Sequence, residues 1–208
     1  MGIPVLILGE SGSGKSASLR NFEPNEVGIF NVAGKPLPFR KRLKKVDYAT
    51  YPAIMKSLSK PTLKTYVIDD SQYLMAFEEL DRAMETGYQK FTEMALHFSG
   101  LVRFCITSLP PDVIVYFLHH TETTDAGKVK AKTVGKMIDS KLTLEGLFSI
   151  VLLCEATSDG HHFITQSDGY TTAKSPIDMF PPKIDNDLKL VDSTIRDYYR
   201  NTTEAEEN

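Results

Sequence analysis

The chain has 208 residues, of which 41% are hydrophobic and 25% charged, with a formal net charge of -3. This is the composition of a folded domain with a sizeable core, and it excludes a fibrous or a disordered chain. The slightly acidic balance excludes nucleic-acid binding through a global field, so any such contact must rest on a local basic patch.

The first apolar run, 3–8, is too short to cross a bilayer or to form a signal-peptide core, so no targeting segment and no membrane contact are expected. It leads into Gly9-Glu10-Ser11-Gly12-Ser13-Gly14-Lys15-Ser16, which satisfies G-x-x-x-x-G-K-[ST] at every fixed position. Strand before and predicted helix (15–22) after give this motif its proper context. The glycines let successive N–H groups face one concavity, an anion nest at a helix start, with Ala17 closing the segment. In such a loop the Lys15 ammonium reaches the β- and γ-phosphates of a nucleotide, and the Ser16 hydroxyl ligates Mg2+.

A second strand is predicted at 27–32, followed by the basic run Arg40, Lys41, Arg42, Lys44 and Lys45 between Phe39 and Tyr48. Basic segments beside aromatic rings can grip phosphates and stack bases, which makes these five residues candidates for single-stranded DNA. A helix is predicted at 51–58 and a strand at 65–68. That strand ends in Asp69-Asp70, where an acid is expected to hold the metal. Asp69 is the metal candidate and Asp70 the residue that orients or deprotonates water, with Glu78 and Glu79 as rivals. Spacing of three and four among Leu74, Phe77, Leu80, Met84, Tyr88, Phe91, Met94 and Phe98 predicts one long helix over 71–98.

The run 113–118 predicts a strand ending in His119-His120, which are catalytic or sensing candidates if that strand lies between the two motif strands. Lys128, Lys130 and Lys132 follow in a Gly-containing loop, with Lys136 and Lys141 beyond them. A helix is predicted at 134–144 and a last buried strand at 150–154. Cys105 and Cys154 both sit in apolar runs and read as reduced core thiols, as in the cytoplasm. Residues 162–165 and 170–173 flank Asp168-Gly169 and predict a hairpin at the sheet edge. Pro176, Pro181 and Pro182 mark an extended connector before a helix at 188–199. The segment 201–208, with Glu204, Glu206 and Glu207 and no apolar anchor, is expected to be a disordered tail to a single domain spanning 1–200. Strands alternating with helices predict an α/β fold with a mostly parallel sheet covered on both faces.

Several stretches carry a family resemblance. These are the phosphate motif with Ser18-Leu19-Arg20-Asn21-Phe22 behind it, Gly34-Lys35-Pro36-Leu37-Pro38-Phe39, Val67-Ile68-Asp69-Asp70-Ser71, Glu145-Gly146-Leu147-Phe148, Thr172-Ala173-Lys174-Ser175-Pro176, and Asn186-Asp187-Leu188. Over about residues 3–190 the chain resembles the additional-strand branch of P-loop ATPases, and within it the RecA-like core-only proteins of phages, such as the Sak group of single-strand annealing proteins. The resemblance implies a three-layer P-loop NTPase fold with a RecA-like sheet and a C-terminal β-hairpin. It also implies an ATP- and Mg2+-dependent hydrolase of phage DNA recombination or replication in the host cytoplasm. Partners implied are single-stranded DNA, further copies of the chain and a single-strand-binding protein. In that family a neighbouring subunit completes the site with basic residues, for which Lys128, Lys130, Lys132 and Lys174 are candidates. Two other readings stand beside it: a nucleotide-switched DNA-binding or helicase-loader module with negligible turnover, and a small-molecule kinase. The kinase reading lacks a lid rich in arginine, since only Arg40 and Arg42 lie close together.

Overall fold

Every one of the five apolar runs becomes a strand of one sheet. The computed structural model describes residues 1–134 and 143–206. Its strands are β1 (Ile3–Gly9), β2 (Val27–Asn31), β3 (Lys44–Asp47), β4 (Thr65–Asp69), β5 (Ile114–Thr123), β6 (Val129–Ala131), β7 (Ile150–Thr157), β8 (Gly160–Ile164) and β9 (Lys183–Asp185). Their order across the sheet is β3-β2-β4-β5-β1-β7-β8-β9, with β6 paired to the far end of β5. From β3 to β7 every pairing is parallel; β5–β6, β7–β8 and β8–β9 are antiparallel. The strand carrying His119-His120 therefore lies between β1 and β4.

Alternation along these strands sends side chains into two separate cores. Leu6, Leu8, Ile68, Phe117 and Leu153 pack with α1 (Tyr51–Leu58), α2 (Gln72–Asp81) and α3 (Gln89–Ser108). Val5, Ile7, Val67, Tyr116 and Leu152 pack on the opposite face with Leu19, Phe22 and α4 (Leu188–Glu206). Strands buried on both faces must be apolar at consecutive positions, which is why they read as continuous runs. Truncating a fully buried ring such as Phe117 to Ala would cost about 3–5 kcal/mol.

Asp187 starts α4, accepting from the amides of Lys189 and Leu190 at 3.0 and 3.3 Å. Asp192 then latches the helix to the sheet. Its Oδ1 accepts from Thr65 Oγ1 at 3.0 Å and from Tyr116 Oη at 3.1 Å, while Arg196 reaches back to Asp192 Oδ2 at 2.7 Å.

Four expectations change. The segment after the phosphate motif is a 3-10 helix, Ser16–Asn21. The long helix over 71–98 is two helices: α2 stops at Asp81, Gly87 takes φ 90°, and Met84 and Tyr88 are exposed although their spacing continues the apolar stripe. Arg82 ties the break together through Glu78, Glu85 and Glu93. The hairpin turns at Asp159-Gly160, joining β7 to β8, and β8 takes β9 as its other neighbour. Residues 170–173 do not pair with β8, because Asp168-Gly169 closes only a local turn, held by Ser167 and Asp168 side chains. Finally, α4 runs to Glu206, past the predicted end at 199, because a helix already nucleated by packing propagates readily. The predicted helix at 134–144, with Lys136 and Lys141, falls mostly outside the described residues.

Candidate functional site

All the parallel strands end on one edge of the sheet, where loop 9–16 leaves β1. The loop is held from behind. Ser13 O accepts from His161 Nδ1 at 2.7 Å and Cys154 Sγ at 3.0 Å, and Gly14 O accepts from Asn186 Nδ2 at 3.3 Å and the Ser18 amide at 3.0 Å. A trans peptide points its N–H opposite to its C=O, so pinning these carbonyls turns the Gly14 and Lys15 amides the other way. Gly14 sits at φ 103°, and a Cβ there would lie 2.8 Å from the His161 ring. Only glycine fits both the backbone and the neighbour.

Lys15 is buried, and its ammonium donates to Gly9 O at 2.7 Å and Glu10 O at 2.8 Å. Burial lowers its pKa, opposed by Cys154, Asp70 and Asp69. Ser16 Oγ donates to Asp69 Oδ1 at 2.8 Å, joining the end of β1 to the end of β4 across β5. Burial raises the pKa of Asp69. A carboxylate in this position gains from a nearby cation. A cleft of ≈ 370 Å³ opens beside the loop, lined by Glu10, Ser11, Gly12, Ser13, Thr121 and Glu155 among others.

Asp70 stands next to Asp69 in the left-handed region, at φ 59°, a strained conformation for a residue with a side chain. Its carboxylate accepts from Lys35 Nζ at 2.8 Å and from His120 Nε2 at 3.2 Å. Burial pushes the carboxyl up, but the bonds from His120 and Lys35 outweigh it and hold the group below its ordinary range. Lys35 also lies 5.1 Å from the centre of the Tyr73 ring, and His120 meets that ring edge-on at 5.6 Å. In register, His120 is opposite Gly9.

His119 takes a different place from its neighbour. It is fully buried, with Nδ1 2.9 Å from Ser71 Oγ and Nε2 2.8 Å from Lys132 O. A carbonyl can only accept, so Nε2 carries the proton and Ser71 donates to Nδ1. Both nitrogens are spent on the scaffold, so His119 anchors the start of α2 rather than facing a ligand.

The lysine candidates scatter. Lys128 is exposed in the β5–β6 turn, Lys130 pairs with Glu122 at 2.9 Å, and Lys132 is exposed just after β6. Lys174 is bridged to Val151, level with Leu6 of β1 rather than with the loop. In the basic run, Lys41 binds Glu23 at 2.9 Å and Lys45 binds Asp47, while Arg40, Arg42 and Lys44 are exposed beside the edge strand β3. Phe39 is half-buried and packs against the core.

Sequence reasoning named neither Lys35 nor the props His161 and Asn186 as site residues. Lys35 stood within a quoted motif, Gly34-Lys35-Pro36, which is the one signal that pointed to it. Among the described residues no cluster of three or more His, Cys, Asp or Glu side chains could hold a metal ion. No protein-family model matches the chain, and no curated protein matches it.

Proposed function

We propose that loop 9–16 binds a magnesium–nucleoside triphosphate and that the chain hydrolyses it. The observation that carries this reading is the Ser16–Asp69 hydrogen bond at 2.8 Å, made beside a buried Lys15 and a loop whose Ser13 and Gly14 carbonyls are held from behind. Ser16 and Asp69 would hold Mg2+. That fits an ion which takes one or two protein oxygens and completes its shell with phosphates and water. Ser13, whose buried Oγ has no hydrogen-bond partner, also lines the adjoining cleft.

Bound there, the ion supplies positive charge to the phosphate oxygens as charge develops in phosphoryl transfer. The rest falls to the chain. Lys15 exchanges its two loop carbonyls for phosphate oxygens, and the Gly14 and Lys15 amides add fixed dipoles. Asp70, kept ionised by Lys35 and His120, orients a water toward the γ-phosphate. Lys35 brings a second cation to the same region, since its charge acts on both Asp70 and Lys15.

The family resemblance extends the proposal to an ATPase of phage DNA metabolism that works as an oligomer on single-stranded DNA, for which Arg40, Arg42 and Lys44 are the contact residues. A second reading, a nucleotide switch with negligible turnover, is favoured by the clamping of Asp70 between the Lys35 and His120 side chains. Turnover with and without single-stranded DNA separates the two. Lys15→Ala should abolish hydrolysis and weaken magnesium–ATP binding by 10- to 100-fold, the loss of about 1.5–3 kcal/mol of charge-assisted hydrogen bonding. A folded variant with wild-type turnover and affinity would end the proposal.

A further inference from the structure

A cavity of ≈ 830 Å³ opens between α1, α2 and α3 beyond the end of β2, and the triphosphate reading makes no use of it. Four aromatic rings line it: Tyr48, Tyr51, Tyr73 and Phe77. Tyr73 and Phe77 are 5.2 Å apart and tilted by 31°. Tyr73 is also the ring that meets His120 and Lys35, so the cavity borders the Asp70 cluster.

Two buried polar atoms on its lining residues have no hydrogen-bond partner, Tyr51 Oη and Glu78 Oε2. The other oxygen of Glu78 is bound by His97 Nδ1 at 2.8 Å and Arg82 Nη1 at 3.3 Å. Tyr51 and Glu78 flank the same imidazole: the Tyr51 ring lies 5.8 Å from that of His97, whose Nδ1 is 2.8 Å from Glu78 Oε1. Orphaned buried groups are uncommon and each one costs stability, so two on residues that line one cavity point to a ligand that completes them. Arg82 is occupied by Glu78, Glu85 and Glu93. With Asp81 also on the wall, the cavity repels phosphate and favours an uncharged ring.

We propose that this cavity binds an amino-bearing nucleobase, its flat ring stacked among Tyr48, Tyr51, Tyr73 and Phe77. The exocyclic amine donates to Glu78 Oε2, and the ring nitrogen beside it accepts from the Tyr51 hydroxyl. Adenine and cytosine present that adjacent donor and acceptor. The base can arrive as a free nucleoside or as one unit of a single strand, and both sources share this chemistry.

The test uses the full chain and 2-aminopurine, whose fluorescence is quenched on stacking; the chain has no tryptophan to interfere. One arm titrates 2-aminopurine riboside, the other a single-stranded oligodeoxynucleotide carrying one 2-aminopurine. Saturable quenching is expected in at least one arm, with a response to the riboside identifying a free nucleoside and a response to the oligonucleotide alone identifying a strand. Tyr51→Phe should weaken it roughly fivefold, the loss of one hydrogen bond, and Phe77→Ala should weaken it further. The same Tyr51→Phe change should raise the melting temperature by about 2–4 °C, because it removes an unsatisfied buried hydroxyl. No saturable quenching in either arm, or quenching that Tyr51→Phe leaves unchanged, would overturn the proposal. Magnesium–ATP binding measured by calorimetry on the same samples reports on loop 9–16 separately, so either reading can fail alone.

Discussion

Acidification probes the scaffold behind Asp70 without altering a residue that faces the proposed ligand. Burial holds the His119 pKa at about 4, down from 6.5. Between those values the unfolded chain binds a proton that the folded chain refuses. The folded state is therefore fully favoured above about pH 6.5 and loses stability as the pH falls toward 4. At ~1.36 kcal/mol per pH unit across that window, the loss amounts to about 3 kcal/mol. In a chain of this size that corresponds to a fall of about 6–12 °C in melting temperature. The assay is thermal unfolding followed by circular dichroism at several pH values from 7 to 4, on the wild type and on His119→Gln. The variant will be less stable at neutral pH, because it gives up a buried ring. Its pH dependence should nonetheless be flatter by the amount His119 contributes, since carboxylates titrate alike in both proteins. Parallel curves would refute the reasoning, as would an NMR titration that places the His119 midpoint near 6.5.

Three further outcomes follow from the site. Ser16→Ala and Asp69→Asn should each weaken ATP binding about tenfold or more in magnesium and leave it unchanged in chelator; equal losses in both conditions would remove these residues from the metal. Lys35→Met should lower kcat at least tenfold with KM within threefold, the pattern of charge placed for the transition state. The Lys35 side chain is 57% exposed, so its pairing with Asp70 contributes only about 0.2–1 kcal/mol to folding. Because the Asp70 carboxyl is held below its ordinary range, that contribution is present above about pH 4 and lost as the pH falls through the lower folded value; an unchanged kcat would take Lys35 out of the site. Replacing Arg40, Arg42 and Lys44 together by Ala should make the salt slope of single-strand binding shallower by about 2, three phosphate contacts at ~0.7 each, and an unchanged slope would place the strand elsewhere.

Features that depend on neighbours in the chain were legible in advance. The five strands announced themselves because burial on both faces demands consecutive apolar residues, and loop 9–16 stood out because the motif it carries has fixed residue types at fixed spacing. The end of α2 was not legible: Met84 and Tyr88 keep the helical period, but nothing in the period reveals that they face solvent. The hairpin was misplaced for a similar reason. Two Asp-Gly pairs, Asp159-Gly160 and Asp168-Gly169, carry the same local turn signal. Only the first follows a strand that is already fixed in register against β1, and a strand so fixed decides which turn closes the ladder.

The Asp70 cluster shows where such reading stops. A residue with a side chain at φ 59° costs roughly 1–2 kcal/mol relative to an ordinary conformation. Nothing in Val67-Ile68-Asp69-Asp70-Ser71 records that cost, and Gly at position 70 would relieve it. Three separate contacts hold the conformation: Lys35 from the loop after β2, His120 from β5, and the Ser71 amide donating to Leu118 O at 2.9 Å. They come together because β4 lies between β2 and β5 in the sheet, an order that the sequence does not print. Under the proposed function, strain offset from two neighbouring strands would hold the Asp70 carboxylate where it orients water, which gives a reason for Asp at a position where glycine would fold more easily. Replacing Asp70 by Gly should therefore raise the melting temperature while eliminating turnover, a combination that a merely structural aspartate would not give.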